Sequence, residues 1–450
     1  MSILLLMDDG PQMLAETMRR LVDVSAMYLR KVDANAFGIG RMQSNGKLAE
    51  WSQRKDGDGF LLLRGAFCGS PTYSSYIKPT LTGTFIATGS SVSAYTTQVG
   101  ATLSFSFTGT GFYFRHYADN RGGIWQFSVD GIDVGTLSTF STDAVTIKEQ
   151  LAVSGLADAT HSVVATFMGA DPNNAPSGGT ARGWFRWDYQ NTGLPAISVA
   201  TVIGPLHVSG IASAVDIISS TSIPDFAIAA KGEGSGMSST WVPRHSGAGA
   251  ARNIVASLMV DGVSVNTDPN VLSANIEFTD AVVFTQTYTA YNGNDVAGDY
   301  PMWDGVIVHR YDRNGLTVTH SLDFKYGNVN ADGYLAMLPS KVGNAEKLIT
   351  NAGESVTISA SDVSVPFARF ASSAAYINAT TGNGCAIDVN LSQVLAPTLT
   401  DPFFYTIRLD DVTKAYWKKV SGTVTTGTQW QCVNRYSAVA GATFPAAWTS

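Results

Sequence analysis

The N-terminal part of the chain has the hydrophobic period of an α-helix. Mostly apolar residues recur at steps of three and four, at Leu14, Met18, Leu21, Val22, Ser25, Leu29 and Val32. Asp8 and Asp9 precede this stretch, and Arg30 and Lys31 end it, which matches the charge preferences of the two ends of a helix. The pattern predicts a helix over about 11–34. Its apolar face either packs on the chain's own domain or docks onto a second copy or a neighbouring protein.

After Gly38 the pattern changes to alternation of apolar and polar residues, which is the period of a β-strand. Short runs rich in β-branched and aromatic residues are separated by Gly, Asn, Asp and Ser; examples are 101–107, 125–129, 161–167, 275–278, 305–310 and 316–322. Regularly spaced short strands are typical of sandwiches and barrels rather than of βαβ units. The sequence therefore predicts an all-β fold, with two or three β-sandwich or jelly-roll modules after the N-terminal helix.

Two short segments share one hairpin pattern. Residues 129–134 and 260–265 both read Val-Asp-Gly-x-x-Val. Asp-Gly supplies the two positive-φ residues of a type I′ turn, whose twist matches that of paired strands. The repetition predicts two hairpins and suggests that the chain contains two related sandwiches.

The pattern also predicts where the modules begin and end. We expect a helix-containing adaptor or assembly segment over 1–75, a jelly-roll sandwich over 76–200 and a second sandwich over 201–350. Residues 351–450 form a β-rich region that is either separate or part of the second sandwich. The glycine-rich stretch 231–251 is interpreted as a connection or a surface loop.

Composition restricts the classes of partner. Only 14% of the 450 residues are charged, the net charge is −7, and no run of Lys or Arg occurs. Phosphate binding needs clustered cations, so a nucleic-acid partner is not expected. No apolar stretch reaches the roughly 20 residues of a membrane helix, so membrane insertion is not expected either. Cys68, Cys385 and Cys432 are far apart, which fits folding in a reducing cytosol.

One part of the chain resembles a known module. Residues about 85–168 contain an apolar strand at 100–114, a hairpin at 125–137 and a closing strand at 151–164. This succession resembles the galactose-binding-like jelly-roll module found in carbohydrate esterases, glycoside hydrolases and phage structural proteins. The resemblance implies a jelly-roll fold.

A second resemblance concerns the stretch from Asp299 to Pro339. Its runs 299–305 and 326–339 resemble a module of phage minor tail proteins, where it accompanies such jelly rolls in host-facing baseplate and fibre components. The two resemblances imply a virion protein that is assembled in the host cytoplasm. They also imply other virion proteins as partners, and we expect the chain to form a homo-oligomer.

Catalytic motifs are sparse in the sequence. No Gly-x-Ser-x-Gly elbow occurs, and Ser238, Ser239 and His245 form only a loose cluster in a glycine-rich loop. No pair of histidines has the spacing of a zinc site. The sequence predicts no enzyme and no cofactor, although a structural Ca²⁺ at Asp119 or Asp171 stays open.

One group of acids and aromatic residues deserves comparison with glycosidases. Asp299, Asp304 and Asp312 surround Tyr300 and Trp303, a mixture that a sugar-cleaving site could use. The same acids lie beside glycines, where turn formation explains them equally well.

Aromatic residues give the main functional indication. Alternation puts Tyr113, Arg115 and Tyr117 on one face of a strand, and the Phe and His residues next to them on the other. With Trp125 near a turn-rich rim, this face predicts a glycan-binding surface, because sugars stack on rings and accept hydrogen bonds from Arg. Residues 184–189 are similarly mixed. The alternative is that these rings are core residues and cross-strand pairs.

The N-terminal segment is predicted to serve assembly. Its apolar helix face consists of Leu14, Met18, Leu21 and Leu29. A segment of 75 residues encloses its apolar side chains poorly, so the remainder should contact another chain.

Together, the resemblances and the aromatic face predict a structural protein of a tailed-phage virion. The expected role is a host-facing tail-fibre or baseplate component that binds surface glycan without catalysis. A capsid decoration or tail-collar protein is one alternative. A polysaccharide depolymerase or esterase with an accessory jelly roll is the other.

Overall fold

The structure is a computed structural model. It describes residues 27–439 except for gaps at 44, 56, 58, 74, 89–92, 144–145, 190–194, 198, 220–226, 232–239, 243–250, 292–300, 326–328, 335–336, 342–345, 358–363, 367–370, 379, 391–404, 410–411 and 418. The described residues form β-strands and three short 3₁₀ turns, at Ser177–Gly179, Pro205–His207 and Pro269–Val271. The predicted all-β class is confirmed.

The strands follow the chain in three groups. The first group is β1 (Met27–Asp33), β2 (Ala36–Met42), β3 (Leu48–Lys55) and β4 (Leu61–Tyr73). The second group is β5 (Ser75–Tyr76), β6 (Thr80–Thr82), β7 (Ile86–Ala87), β8 (Ser93–Thr96), β9 (Thr102–Ala118), β10 (Gly123–Val129), β11 (Ile132–Ser138), β12 (Thr146–Ala170), β13 (Gly183–Tyr189), β14 (Pro195–Ile197) and β15 (Ala200–Ile203). The third group is β16 (Val208–Ser219), β17 (Ala227–Lys231), β18 (Thr240–Val242), β19 (Ala251–Val260), β20 (Val263–Val265), β21 (Ile276–Phe278), β22 (Ala281–Tyr291), β23 (Pro301–Asp312), β24 (Gly315–Phe324), β25 (Val329–Tyr334), β26 (Met337–Lys341), β27 (Lys347–Thr350), β28 (Ser355–Thr357), β29 (Ser364–Pro366), β30 (Ser373–Ile377), β31 (Gly384–Val389), β32 (Tyr405–Leu409), β33 (Val412–Trp417), β34 (Lys419–Val424) and β35 (Gln429–Val439).

The chain forms two compact units. Unit 1 contains Thr72–Ser209, and unit 2 contains the described residues of Ser25–Pro71 and Gly210–Ser450. The boundaries fall at 71/72 and 209/210, where the sequence predicted 75/76 and 200/201. The predicted adaptor over 1–75 is therefore corrected for residues 27–71, which belong to unit 2. The described part of 351–450 also belongs to unit 2.

Unit 1 is built around a two-stranded ribbon that folds back on itself. β9 pairs with residues 146–166 of β12, but residues 155–158 have no partner on β9 between Ser154↔Gly111 and Ala159↔Gly109. Phe105 and Phe112 lie on the same strand with their ring centroids 5.4 Å apart. Seven residues of straight strand would span roughly 23 Å. The ribbon is therefore bent in its middle, so that its two halves face each other.

Glycine permits this bend. A Cβ at Gly111 would lie 2.3 Å from the Val153 carbonyl oxygen, and a Cβ at Gly109 would lie 2.7 Å from the Ile203 carbonyl oxygen. A larger residue would displace the backbone at either position.

The two halves of the ribbon form the two layers of a sandwich. In one layer, the first half of β9 pairs with β6, and the second half of β12 pairs with β10. β10 in turn pairs with β11. The second half of β9 pairs with β15, which pairs with β5. A further sheet has the order β14-β13-β8-β7. Phe112 and Phe114 from one layer contact Phe127 from the other, at ring distances of 5.8 Å and 5.1 Å.

Unit 2 contains a larger sandwich. One sheet has the order β16-β4-β3-β2-β1-β21, and a ten-stranded sheet has the order β20-β19-β22-β23-β24-β35-β31-β30-β27-β28. Rings from the two sheets meet in one core: Phe37 contacts Phe284 at 5.6 Å and Trp51 contacts Tyr436 at 6.5 Å. Two four-stranded sheets, β18-β17-β25-β34 and β26-β33-β32-β29, complete the unit.

The predicted helix over 11–34 is wrong for its last third, because residues 27–33 are strand β1. Met27–Asp33 pairs with β2 on one side and with β21 on the other. Leu29, which the sequence assigned to an assembly face, is fully buried in the core of unit 2. Arg30 does not end a helix; it forms a buried ion pair with Glu50 at 2.6 Å. Residues 11–26, with the other assembly residues Leu14, Met18 and Leu21, lie outside the described part of the chain.

The two predicted Asp-Gly hairpins are confirmed. Asp130 and Gly131 have φ values of 51° and 80°, and Asp261 and Gly262 have 46° and 79°. Each aspartate makes the same contacts with the strand that follows its hairpin in the sheet. The backbone of Asp130 donates to Ser162 at 2.8 Å and its carboxylate accepts from the same residue; Asp261 does the same with Ala281. The likeness of the two segments thus extends from sequence to structure.

Candidate functional site

The predicted glycan face lies on the second half of β9. Burial alternates along this strand: Phe112, Phe114 and His116 are fully buried, while the three residues Tyr113, Arg115 and Tyr117 are half-buried on the other face. The faces are those that alternation predicts.

Trp125 does not belong to this surface. Its side chain is 0% exposed in the core of unit 1, and its indole Nε1 donates to the Trp184 carbonyl oxygen at 3.1 Å. It lies on β10, whose alternation directs its odd-numbered residues inward. The prediction of Trp125 as a glycan contact is corrected.

Neighbouring strands extend the surface around Tyr113 and Arg115. β12 places Leu151 opposite Tyr113 and Glu149 opposite Arg115. Directly paired residues of an antiparallel sheet point to the same side, so these side chains share the face. Leu151 is 51% exposed. On the other side, β5 contributes Tyr76, which is 54% exposed.

Direct contacts join these side chains. Arg115 Nε lies 3.0 Å from Glu149 Oε2, and the Arg115 guanidinium lies 4.6 Å from the centre of the Tyr76 ring. The rings of Tyr73 and Tyr113 are 6.0 Å apart. Burial, together with the charge of Glu149, raises the pKa of Tyr113 above its usual value, so this phenol stays neutral and able to donate. We call Tyr73, Tyr76, Tyr113, Arg115 and Glu149 the sheet face.

Tyr117 connects the sheet face to a second group of rings. Its ring centroid lies 4.7 Å from that of Trp184, which in turn lies 4.7 Å from that of Tyr95. The Arg182 guanidinium covers the Tyr95 ring at 4.3 Å and lies 5.3 Å from the Trp184 ring. We call Tyr117, Trp184, Tyr95 and Arg182 the aromatic ladder. The Tyr117–Trp184 pair is tilted and the Trp184–Tyr95 pair is T-shaped, which are attractive arrangements for aromatic rings.

Asp119 holds the ladder in place. Its carboxylate, which is almost fully buried, accepts hydrogen bonds from Trp184 Nε1 at 2.8 Å, Arg121 Nη2 at 2.8 Å and Arg121 Nε at 2.9 Å. Trp184 is 1% exposed, so its indole N–H has no access to water. The Trp184 ring is therefore fixed by one buried acceptor, and the half-exposed rings on either side are oriented by it.

The two aspartates that the sequence suggested as ligands of a structural Ca²⁺, Asp119 and Asp171, both accept hydrogen bonds from other residues of the protein. The Asp119 carboxylate is bonded as described above, and Asp171 accepts from Ser138 Oγ at 2.7 Å and from the Asn173 backbone at 2.9 Å. These bonds, that of Ser138 first, lower the pKa of Asp171. Within the described residues, no three His, Cys, Asp or Glu side chains form a group that could hold a metal ion.

The structure also separates the acid and aromatic residues of the glycosidase hypothesis. Trp303 is fully buried in the core of unit 2, whereas Asp304 lies on the opposite, exposed face of β23. Asp304 is bonded to Thr289 at 2.9 Å and paired with Lys325 at 3.4 Å. Asp299 and Tyr300, together with Ser238, Ser239 and His245, lie outside the described residues.

Besides Glu149, four residues of the sheet face and the aromatic ladder were missed by sequence reasoning. They are Tyr73, Tyr76, Tyr95 and Arg182, which come from strands or loops up to about 70 residues from Tyr113 in the sequence. Glu149 and Leu151 lie at the site because β12 pairs with β9. β12 begins at Thr146, well before the strand that the sequence predicted over 161–167. Only the tertiary fold of the ribbon brings these residues together.

Comparison with models of known protein families gave no match, and comparison with the sequences of curated proteins gave none either. No helix among the described residues is long and apolar enough to cross a bilayer. The three cysteines are buried and form no disulfide.

Proposed function

We propose that this protein is a structural component of a tailed-phage virion, of the host-facing tail-fibre or baseplate type, and that unit 1 binds surface glycan without catalysis. The virion role rests on the sequence resemblances alone. The glycan role is supported by one structural observation: three tyrosines, an arginine and a glutamate meet on an accessible sheet face. Its proposed partners are host-surface glycan, other virion proteins and further copies of the chain.

The chemistry of the sheet face suits a sugar. A pyranose ring presents apolar C–H patches and a rim of hydroxyl groups. Tyr76 supplies an exposed ring for the patches, while the Tyr113 hydroxyl and the Glu149 carboxylate supply polar groups for the rim. A flat face buries little of a ligand, so we expect roughly millimolar to micromolar affinity for one module. Several copies on one particle would strengthen attachment through avidity.

Binding by the full chain to immobilised host-type polysaccharides tests the proposal. The variant Tyr76→Ala removes an exposed ring and should weaken glycan binding roughly tenfold, that is by about 1.4 kcal/mol. Tyr291→Ala is a matched control, because Tyr291 also lies under an arginine, Arg252, at 4.4 Å, but belongs to unit 2. This control should bind like the wild type. The proposal fails if the wild type binds no glycan, or if the two variants bind equally well.

A second candidate function, a purely structural role in assembly, is favoured by the outer strands of the ten-stranded sheet in unit 2. β19 and β20 expose three apolar side chains there: Val255, Met259 and Val263. Exposed apolar residues at a sheet edge are available for contact with another chain. This role accords with the proposed homo-oligomer, and it does not exclude glycan binding by unit 1.

A further inference from the structure

The aromatic ladder ends in an arginine that is fixed in position but keeps its hydrogen-bond donors. The backbone N–H of Arg182 donates to the Arg121 carbonyl oxygen at 2.7 Å, and its own carbonyl oxygen accepts from Gly123 at 2.9 Å. Its guanidinium lies over the Tyr95 ring. In the part of the chain that the structure describes, that guanidinium takes part in no hydrogen bond or ion pair.

The other two arginines of the site are neutralised. Arg115 lies 3.0 Å from Glu149, and Arg121 lies 2.8 Å from Asp119. Both carboxylates are therefore used, and Arg182 contributes a positive charge that no described side chain compensates. This local charge stands on a chain whose net charge is −7.

A stacked guanidinium is well suited to one kind of ligand group. Its central carbon lies 4.3 Å from the centre of the Tyr95 ring, and no described residue accepts a hydrogen bond from its N–H groups. Two parallel N–H groups match the two oxygens of a carboxylate, and the stacking means that little rotational freedom is lost on binding. The half-buried rings of Tyr95 and Tyr117 leave apolar surface for the sugar that carries this carboxylate.

We infer that Arg182 forms an anion subsite at the end of the glycan surface, and that the ligand is a carboxylate-bearing saccharide of the uronic-acid or sialic-acid kind. This inference rests on the proposed glycan function and specifies its substrate class. Recognition is bidentate, from the guanidinium to the carboxylate. The sheet face contacts the neighbouring sugars.

The test compares pairs of probes that differ only in charge. A glycan array carries uronic-acid and sialic-acid oligosaccharides beside the methyl esters of the same compounds, and the best pair is titrated against the full chain. The wild type should bind the acid at least tenfold more tightly than the ester, since a charge-assisted hydrogen bond is roughly twice as strong as a neutral one. Added salt should weaken binding of the acid and leave binding of the ester unchanged.

Variants of Arg182 separate charge from packing. Arg182→Met keeps the apolar stem and should bind the acid and its ester equally. Arg182→Lys keeps the charge but loses the paired donors, so its preference for the acid should fall between those of the wild type and Arg182→Met. Arg313→Met is the matched control, because Arg313 is an exposed arginine of unit 2 and its loss changes the net charge equally.

Each outcome bears on one of the two proposals. Equal binding of acid and ester by the wild type overturns this inference and leaves the glycan proposal standing. An unchanged preference for the acid in Arg182→Met also overturns it. Binding of neither probe contradicts both proposals. The ester comparison uses only the wild-type protein, so the test does not depend on the folding of any variant.

Discussion

Replacing Asp119 by alanine tests whether one buried carboxylate holds the aromatic ladder. In the wild type this carboxylate accepts from Trp184 Nε1, from two nitrogens of the Arg121 guanidinium and from the Arg121 backbone N–H at 2.9 Å. Alanine removes all four acceptor contacts at once. The backbone carbonyl of residue 119 still accepts from Gly122 and Ser141, so the turn itself is retained.

The expected cost follows from the burial of each donor. Trp184 is 1% exposed, and a buried N–H that loses its acceptor costs about 1–3 kcal/mol. The Arg121 side chain is 38% exposed, so water replaces its lost ion pair and the cost is below about 1 kcal/mol. The total loss in free energy of unfolding should be roughly 1–4 kcal/mol. Asp119→Asn keeps one carbonyl oxygen for the indole and should lose only about 1 kcal/mol.

Urea unfolding of the full chain, combined with hydrogen exchange of peptides from unit 1, measures this loss. Exchange should increase in the peptides around Trp184 and stay unchanged in unit 2. Asp143→Ala is the control, since Asp143 is 75% exposed and lies 3.8 Å from Lys148; it should change the free energy of unfolding by less than about 0.5 kcal/mol. If Asp119→Ala is as stable as this control, the carboxylate does not hold the ladder.

Two ion pairs give further predictions, both measured by urea unfolding. Glu50→Gln removes the charge that faces buried Arg30, so the free energy of unfolding should fall by about 3–5 kcal/mol. The double variant Arg30→Met/Glu50→Leu should recover most of this loss. Equal stability of Glu50→Gln and the wild type would contradict this prediction. Burial opposes protonation of His161, but its hydrogen bonds to the Ala157 carbonyl and the Asp130 carboxylate outweigh burial and raise the pKa of His161 above 6.5. The hydrogen bond from His161 lowers the pKa of Asp130 below 3.8. The pair therefore stabilises the fold most between pH 3.8 and 6.5, and its contribution is lost as the pH rises through the raised pKa of His161. Relative to Asp130→Asn, the wild type should lose stability as the pH rises above 6.5 through the raised pKa of His161, and a constant difference would refute the assignment.

Local features of the fold follow directly from the sequence. The Asp-Gly turns at Asp130 and Asp261 need positive φ at two successive residues, and this requirement is met by residue type alone. The alternation that places Tyr113 and Arg115 opposite Phe112 and Phe114 follows from the geometry of a strand. Each of these predictions depends on neighbours within a few residues.

The failures concern long-range pairing. The spacing of Leu29 and Val32 fits a helix, yet this segment is a strand because Met27 pairs with Phe278, far along the chain. Trp125 looks accessible beside turn residues, but the fold-back of the β9–β12 ribbon encloses it. Periodicity cannot show which strand lies next to which, so the sequence alone identified only part of the site.

The order of the units along the chain has a consequence for synthesis. Strands β1–β4 leave the ribosome before the other strands of unit 2, and Phe278, the partner of Met27, follows Met27 by roughly 250 residues, or about 12–50 s at typical translation rates. Unit 1 is made entirely within this interval. The apolar inner face of the first strands, which includes Phe37 and Trp51, must therefore remain uncovered while unit 1 is completed. Newly made chains are consequently most prone to aggregation in this interval, and chaperones that hold exposed strands should act on β1–β4.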